Sequence, residues 1–115
     1  MNLLTQSRAA VLPAPGLDPQ VRTYAIPNLE PGAVLLKVIA SEVCGTDVHL
    51  WHGRLAGVPY PLIPGHVSIG EVVATEGEVR DVEGSVVSVG ETYSFLDVHG
   101  TCGACWYCLV AKAST

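Results

Sequence analysis

Two stretches of this chain carry side chains whose types and spacing suit chemistry at a cation. The first runs CGTDVHLWHG from Cys44 to Gly53 and is followed by PGHVSIG from Pro64 to Gly70. Cys44 can offer a thiolate and His66 an imidazole to one metal, and catalytic zinc takes three protein ligands while keeping a position open. Asp47 is expected to accept the other ring N–H of His66, fixing its tautomer and raising its basicity as a ligand. Thr46 and His49 stand at i and i+3, on one side of a turn, where a hydroxyl and an imidazole can pass a proton from a buried centre to water. Each residue alone has a plainer reading. A single Cys44 is commonly a small core hydrophobe, and Asp47 could simply cap a short helix. His52 reads as a surface residue and Trp51 as core or pocket wall. The combination favours a site.

The second stretch is HGTCGACWYC, from His99 to Cys108. Cys102, Cys105 and Cys108 form C-x2-C-x2-C, a spacing at which tight turns aim several sulfurs at one ion. Closed structural zinc sites are commonly all thiolate, with four ligands. Three are here, so a fourth must come from elsewhere. Buried incidental thiols remain an alternative. A four-iron cluster is disfavoured because its further cysteine and proline are lacking, with Lys112 and Ala113 in that region. His99 reads as a turn residue or neighbour of the thiolates rather than a ligand.

These groups need a scaffold, and the pattern points to short strands. Arg8 to Leu12 and Val21 to Ile26 read as two strands separated by Pro13, Pro15, Gly16 and Pro19. Ala33 to Ala40 is an apolar run with a single charge, the clearest strand of the chain. Val72 to Ala74 continues the pattern, Val86, Val87 and Val89 are expected to form another strand, and Tyr93, Phe95 and Val98 alternate after Gly90. Only Cys44 to His52 looks helical, as a brief turn. Gly57 to Gly65 holds three prolines and reads as a rigid extended loop that delivers His66. Strands this short with turns between them suggest a small barrel or sandwich.

Composition agrees with one such domain over residues 1–115. The chain is 49% hydrophobic and 15% charged, with 12 glycines and 8 prolines, which suits a turn-rich β domain with a core. A net charge of −5 without any Lys/Arg cluster argues against nucleic acid as a partner. The opening ten residues lack the apolar run of a signal peptide, and no apolar stretch reaches the ~20 residues of a membrane helix. The expected location is the cytoplasm, where Cys44, Cys102, Cys105 and Cys108 stay reduced and open to a metal.

Cys44-Gly45-Thr46-Asp47-Val48-His49, then Gly65-His66, then the cysteine triplet together resemble the medium-chain zinc-dependent alcohol dehydrogenases, and the likeness runs from about Ser7 to Thr115. The resemblance implies a mainly β, GroES-like small barrel with short helical turns and a zinc-binding loop lobe, packed on a Rossmann domain that these residues do not include. It implies Cys44 and His66 as catalytic zinc ligands, Thr46 and His49 as the proton relay, and Asp47 as the partner of the zinc histidine. Cys102, Cys105 and Cys108 match the first three structural zinc ligands, with the fourth expected directly beyond Thr115.

The implied activity is reversible oxidation of a small-molecule alcohol or polyol with hydride transfer to NAD(P), by an enzyme that is a homo-oligomer at full length. Two departures stand out. Val67 occupies the place where the family usually has Glu, which argues against a sorbitol-type ligand set and is expected to require a third ligand from sequence outside these 115 residues. Gly90-Glu91 replaces a usual Gly-Asp turn. No G-x-G-x-x-G occurs, so this piece is expected to be inactive alone. The alternative is a non-catalytic zinc-binding scaffold of the same fold, which would have no use for the Thr46–His49 relay.

Overall fold

Alternating and β-branched segments pair here into two antiparallel sheets, described over residues 5–96 by a computed structural model of the chain. Strand β1 (Gln6–Val11) turns through the proline-rich segment at 13–19 and returns as β2 (Gln20–Ala25), in the register Ser7 opposite Tyr24 and Val11 opposite Gln20. The second sheet has the order β3 (Val34–Ser41), β4 (Val67–Thr75), β5 (Thr92–Leu96). Helix α1 (Gly45–Trp51) and the loop to His66 lie between β3 and β4 in the chain. The cysteine triplet at 102, 105 and 108, with His99 and Val98, lies outside the described residues.

The GroES-like β character expected from the sequence is present, but among the described residues the sheets do not close into a barrel. Among the described residues no ladder joins the two sheets. A barrel needs hydrogen-bonded neighbours around its whole circumference. The segment with Val86, Val87 and Val89, expected as a strand, is instead irregular, with a single bridge at Val86 and a turn at Val89 and Gly90. Arg80 and Val86 make one isolated bridge, and the Val87 N–H donates to the Val79 carbonyl at 2.8 Å. Glu91 fixes the end of this run: its Oε2 accepts the Ser88 N–H at 2.9 Å and the Tyr93 hydroxyl at 3.0 Å. The glutamate after Gly90 thus does the work of a shorter turn acid.

The core is small. Val11, Leu12 and Val72 are almost fully buried and Val87 nearly so. Leu12 also ties the first hairpin to the loop before His66, exchanging two backbone hydrogen bonds of 2.8 and 3.0 Å with Leu62. That clamp, together with the β3–β4 ladder, sets both ends of the segment that carries the site. No helix among the described residues is long and apolar enough to cross a membrane.

Candidate metal centre

Three segments meet at the site: the end of β3, the start of α1, and the residue just before β4. The ladder aligns the first with the third. Ser41 lies opposite Ser68, and one step on the Glu42 N–H donates to the Val67 carbonyl at 3.1 Å. His66 therefore sits at the head of β4, facing the chain as it leaves β3. Cys44 is the N-cap of α1, in extended backbone conformation, so its side chain stands at the mouth of the helix.

Asp47 holds this corner together. It is only 6% exposed. Its Oδ2 accepts the Cys44 N–H at 2.9 Å, the reach of an acidic third helical residue back to its cap. Its Oδ1 accepts the Gly65 N–H at 2.9 Å, from a loop 18 residues away. Gly65 has φ +94°, and a Cβ there would come 2.8 Å from the Ser41 hydroxyl, so a side chain would push the loop off the strand end. Burial alone would raise the Asp47 carboxyl, but the two backbone N–H bonds, the Cys44 side chain and the nearby His66 outweigh it and hold it below its ordinary 3.8.

The bond to the Cys44 N–H is the helix cap that the sequence offered as the plainer reading of Asp47. Both Asp47 oxygens are aimed at backbone N–H groups, not at the imidazole. The carboxylate against the ring is Glu42, with Oε1 3.2 Å from His66 Nε2.

The ligating atoms converge. Cys44 Sγ lies 3.8 Å from His66 Nε2 and 3.9 Å from Nδ1. Glu42, Cys44 and His66 each offer one donor atom within 4.8 Å of the others. Thiolate, imidazole and carboxylate are the donor set that zinc accepts, so the residues present fit such an ion. Cys44 and His66 were legible as a pair in the sequence. Glu42 was not, because its nearness to His66 depends on the β3–β4 register.

The remaining residues surround this cluster. Thr46 and His66 line the same open cleft of about 260 Å³, with Leu50, Ile63 and Pro64. His49 lies one turn beyond Thr46 on α1 and is exposed. A second, apolar cavity of about 370 Å³ also borders Asp47 and is lined by Leu12, Val43, Val48, Trp51 and Glu42. Trp51 is thus a wall, as expected, and its indole N–H donates to the Leu17 carbonyl at 2.9 Å. His52 is exposed, with its ring 4.9 Å from that of Trp51. Just after it, Gly53 has φ +68°, and a Cβ there would meet Pro15 Cβ at 2.6 Å, so glycine lets the helix end press on the β1–β2 connection.

Comparison with known proteins follows this geometry. The alcohol dehydrogenase GroES-like domain family matches residues 30–115. An L-threonine 3-dehydrogenase of Cutibacterium acnes is 37% identical over 115 residues, covering 97% of this chain and 30% of that protein. The crystal structure of an alcohol dehydrogenase from Thermotoga maritima superposes with a TM-score of 0.82 at 33% identity, over 93% of this chain and 29% of that one. An alcohol dehydrogenase from Escherichia coli CFT073, complexed with NADH, has a TM-score of 0.72 at 27% identity, over 94% of this chain and 29% of that one. The chain thus spans less than a third of the length of these proteins.

Proposed function

The chain belongs to the alcohol dehydrogenase GroES-like domain family, and on that premise we propose that it is the catalytic-domain portion of a zinc-dependent, NAD(P)-linked alcohol or polyol dehydrogenase. The observation that carries the proposal is the approach of Cys44 Sγ to His66 Nε2, at 3.8 Å across 22 residues of chain. A zinc ion and a nicotinamide, when bound, supply Lewis acidity toward the substrate hydroxyl and a hydride acceptor.

This chain's own residues do the rest. Cys44 and His66 hold the ion at the mouth of α1. Asp47 keeps the two in register by gripping the backbone on either side. Thr46, in the cleft beside His66, takes the hydroxyl proton, and exposed His49 passes it to water. Cys102, Cys105 and Cys108 hold a second, structural zinc. The relatives this chain resembles are more than three times as long, and a coenzyme-binding part is assigned to such further length, so turnover is expected only of a chain that includes it. The full-length enzyme works in the cytoplasm as a homo-oligomer on a small-molecule alcohol.

Two assays test this reading. Zinc analysis of the purified chain is expected to show one equivalent fewer in Cys44→Ser and in His66→Ala than in the parent. In the full-length enzyme, Thr46→Ala is expected to lower kcat by about a hundredfold, as loss of general acid–base help does. Unchanged zinc in both ligand variants would defeat the proposal.

A further inference from the structure

Resting on the zinc reading of Cys44 and His66, we propose that Glu42 is the third protein ligand, so that one short stretch of chain completes a Cys–Glu–His set. Two observations made independently point to it. The first is distance. In a tetrahedral zinc site, ligand atoms at ordinary bond lengths lie about 3.4–3.6 Å from one another. Glu42 Oε1 is 3.2 Å from His66 Nε2, and Cys44 Sγ is 3.8 Å from that same nitrogen. Small side-chain movements bring both edges to the values of a bound ion. Glu42 and Cys44 also fall within the 4.8 Å limit that encloses the whole donor set.

The second is topology. Residue 67, next to the zinc histidine, is a valine and offers no donor atom. Its carbonyl accepts the N–H of Glu42, so residue 42 is its cross-strand neighbour where β3 and β4 run out. The site thus takes a carboxylate from the adjoining strand, beside a position that lacks one. Glu42 is 40% exposed on its side chain and His66 is 38% exposed, so the carboxylate keeps contact with water and can swing. Without a metal the pair is a weak surface contact. With one, Glu42 would supply a third donor beside Cys44 and His66.

The test reads Cys44 alone, separately from the cysteine triplet. Iodoacetamide alkylation of the full chain is followed by peptide mass across a zinc titration, and the zinc concentration giving half-protection of Cys44 is recorded. Glu42→Gln is expected to raise that midpoint at least about tenfold. Glu42→His, which returns a donor to the same place, is expected to recover most of the protection. Glu71→Gln, which removes the same charge from the exposed face of β4, is expected to leave the midpoint where it was. A midpoint unmoved by Glu42→Gln but raised by His66→Ala would overturn the role of Glu42 and leave the Cys44–His66 zinc reading standing. Midpoints unmoved in both would overturn the two together.

Discussion

Asp47 and Asp81 each accept two backbone N–H bonds, yet they do different things for the molecule. Asp81 receives the N–H groups of Glu83 and Ser85 on one oxygen, both at 2.9 Å, and so closes a local turn between β4 and β5. Its partners lie within four residues, and its bonds form in full view of water. Asp47 receives Cys44 and Gly65, from either end of the helix and loop, and is buried. The chemistry is the same. What differs is the length of chain each bond fixes and the solvent each displaces. A carboxylate in a turn shapes a few residues, whereas one buried between distant segments sets the position of everything that hangs from them, here the side chains of Cys44 and His66.

The largest effect is expected from removing the buried member. Asp47→Ala leaves two N–H groups without an acceptor in a closed corner, which costs about 3 kcal/mol. Chemical denaturation checks the stability, and the same variant should hold less zinc because Cys44 and the Gly65–His66 loop are released. The contribution of Asp47 also depends on pH. Its carboxyl ionises more readily in the folded chain than in the unfolded one, so the stabilisation is complete above its ordinary 3.8 and is lost as pH falls through the lower folded value. Asp47→Asn should flatten that acid-side decline.

Next comes the partner of Asp47 in the loop. Gly65→Ala strains a positive φ and crowds the Ser41 hydroxyl, for about 1–3 kcal/mol. Thermal melts of the zinc-free and zinc-loaded chain should both fall. The comparison sharpens if Asp81→Ala, at the exposed turn, costs less than about 1 kcal/mol and leaves zinc content alone. A large zinc loss in that variant would break it.

The smallest effect lies beside that turn, at Tyr93. Its hydrogen bond to Glu91 is the main reason its phenol is pushed up to about 12 from 10.0. A phenol raised in this way favours the folded state below pH 10.0, and the advantage fades as pH climbs through about 12. Glu91→Gln should bring the titration of Tyr93, followed by NMR, back toward its ordinary value.

What the sequence revealed follows the same division between near and far. The strand runs 34–41 and 92–96, the helical turn after Cys44 and the proline loop before His66 were legible because local periodicity and turn residues specify them. So was the Cys44–His66 pair, since its residue types admit few other uses in combination. The Val86–Val89 segment was misleading: β-branched residues favour a strand, but among the described residues no strand offers them a ladder beyond the single Arg80–Val86 bridge. The cap made by Asp47 was legible as an option, but its second bond to Gly65 and the place of Glu42 were hidden. Asp47 turns to the backbone because, as the third residue of α1, it reaches its own cap and the adjacent loop more readily than the ring. Glu42 looks like the polar end of a strand until the pairing of β3 with β4 sets it against residue 67. The place of Glu42 depends on register, which short motifs do not encode.

The claim on which the rest stands is that the sulfur of Cys44 and the ring of His66 grip one cation. Anomalous X-ray diffraction at the zinc edge, from crystals of the zinc-loaded chain, tests it most directly. The account predicts a peak about 2.3 Å from Cys44 Sγ and about 2.0–2.1 Å from His66 Nε2. A zinc-loaded crystal with its anomalous peaks elsewhere and none between these two atoms would contradict it.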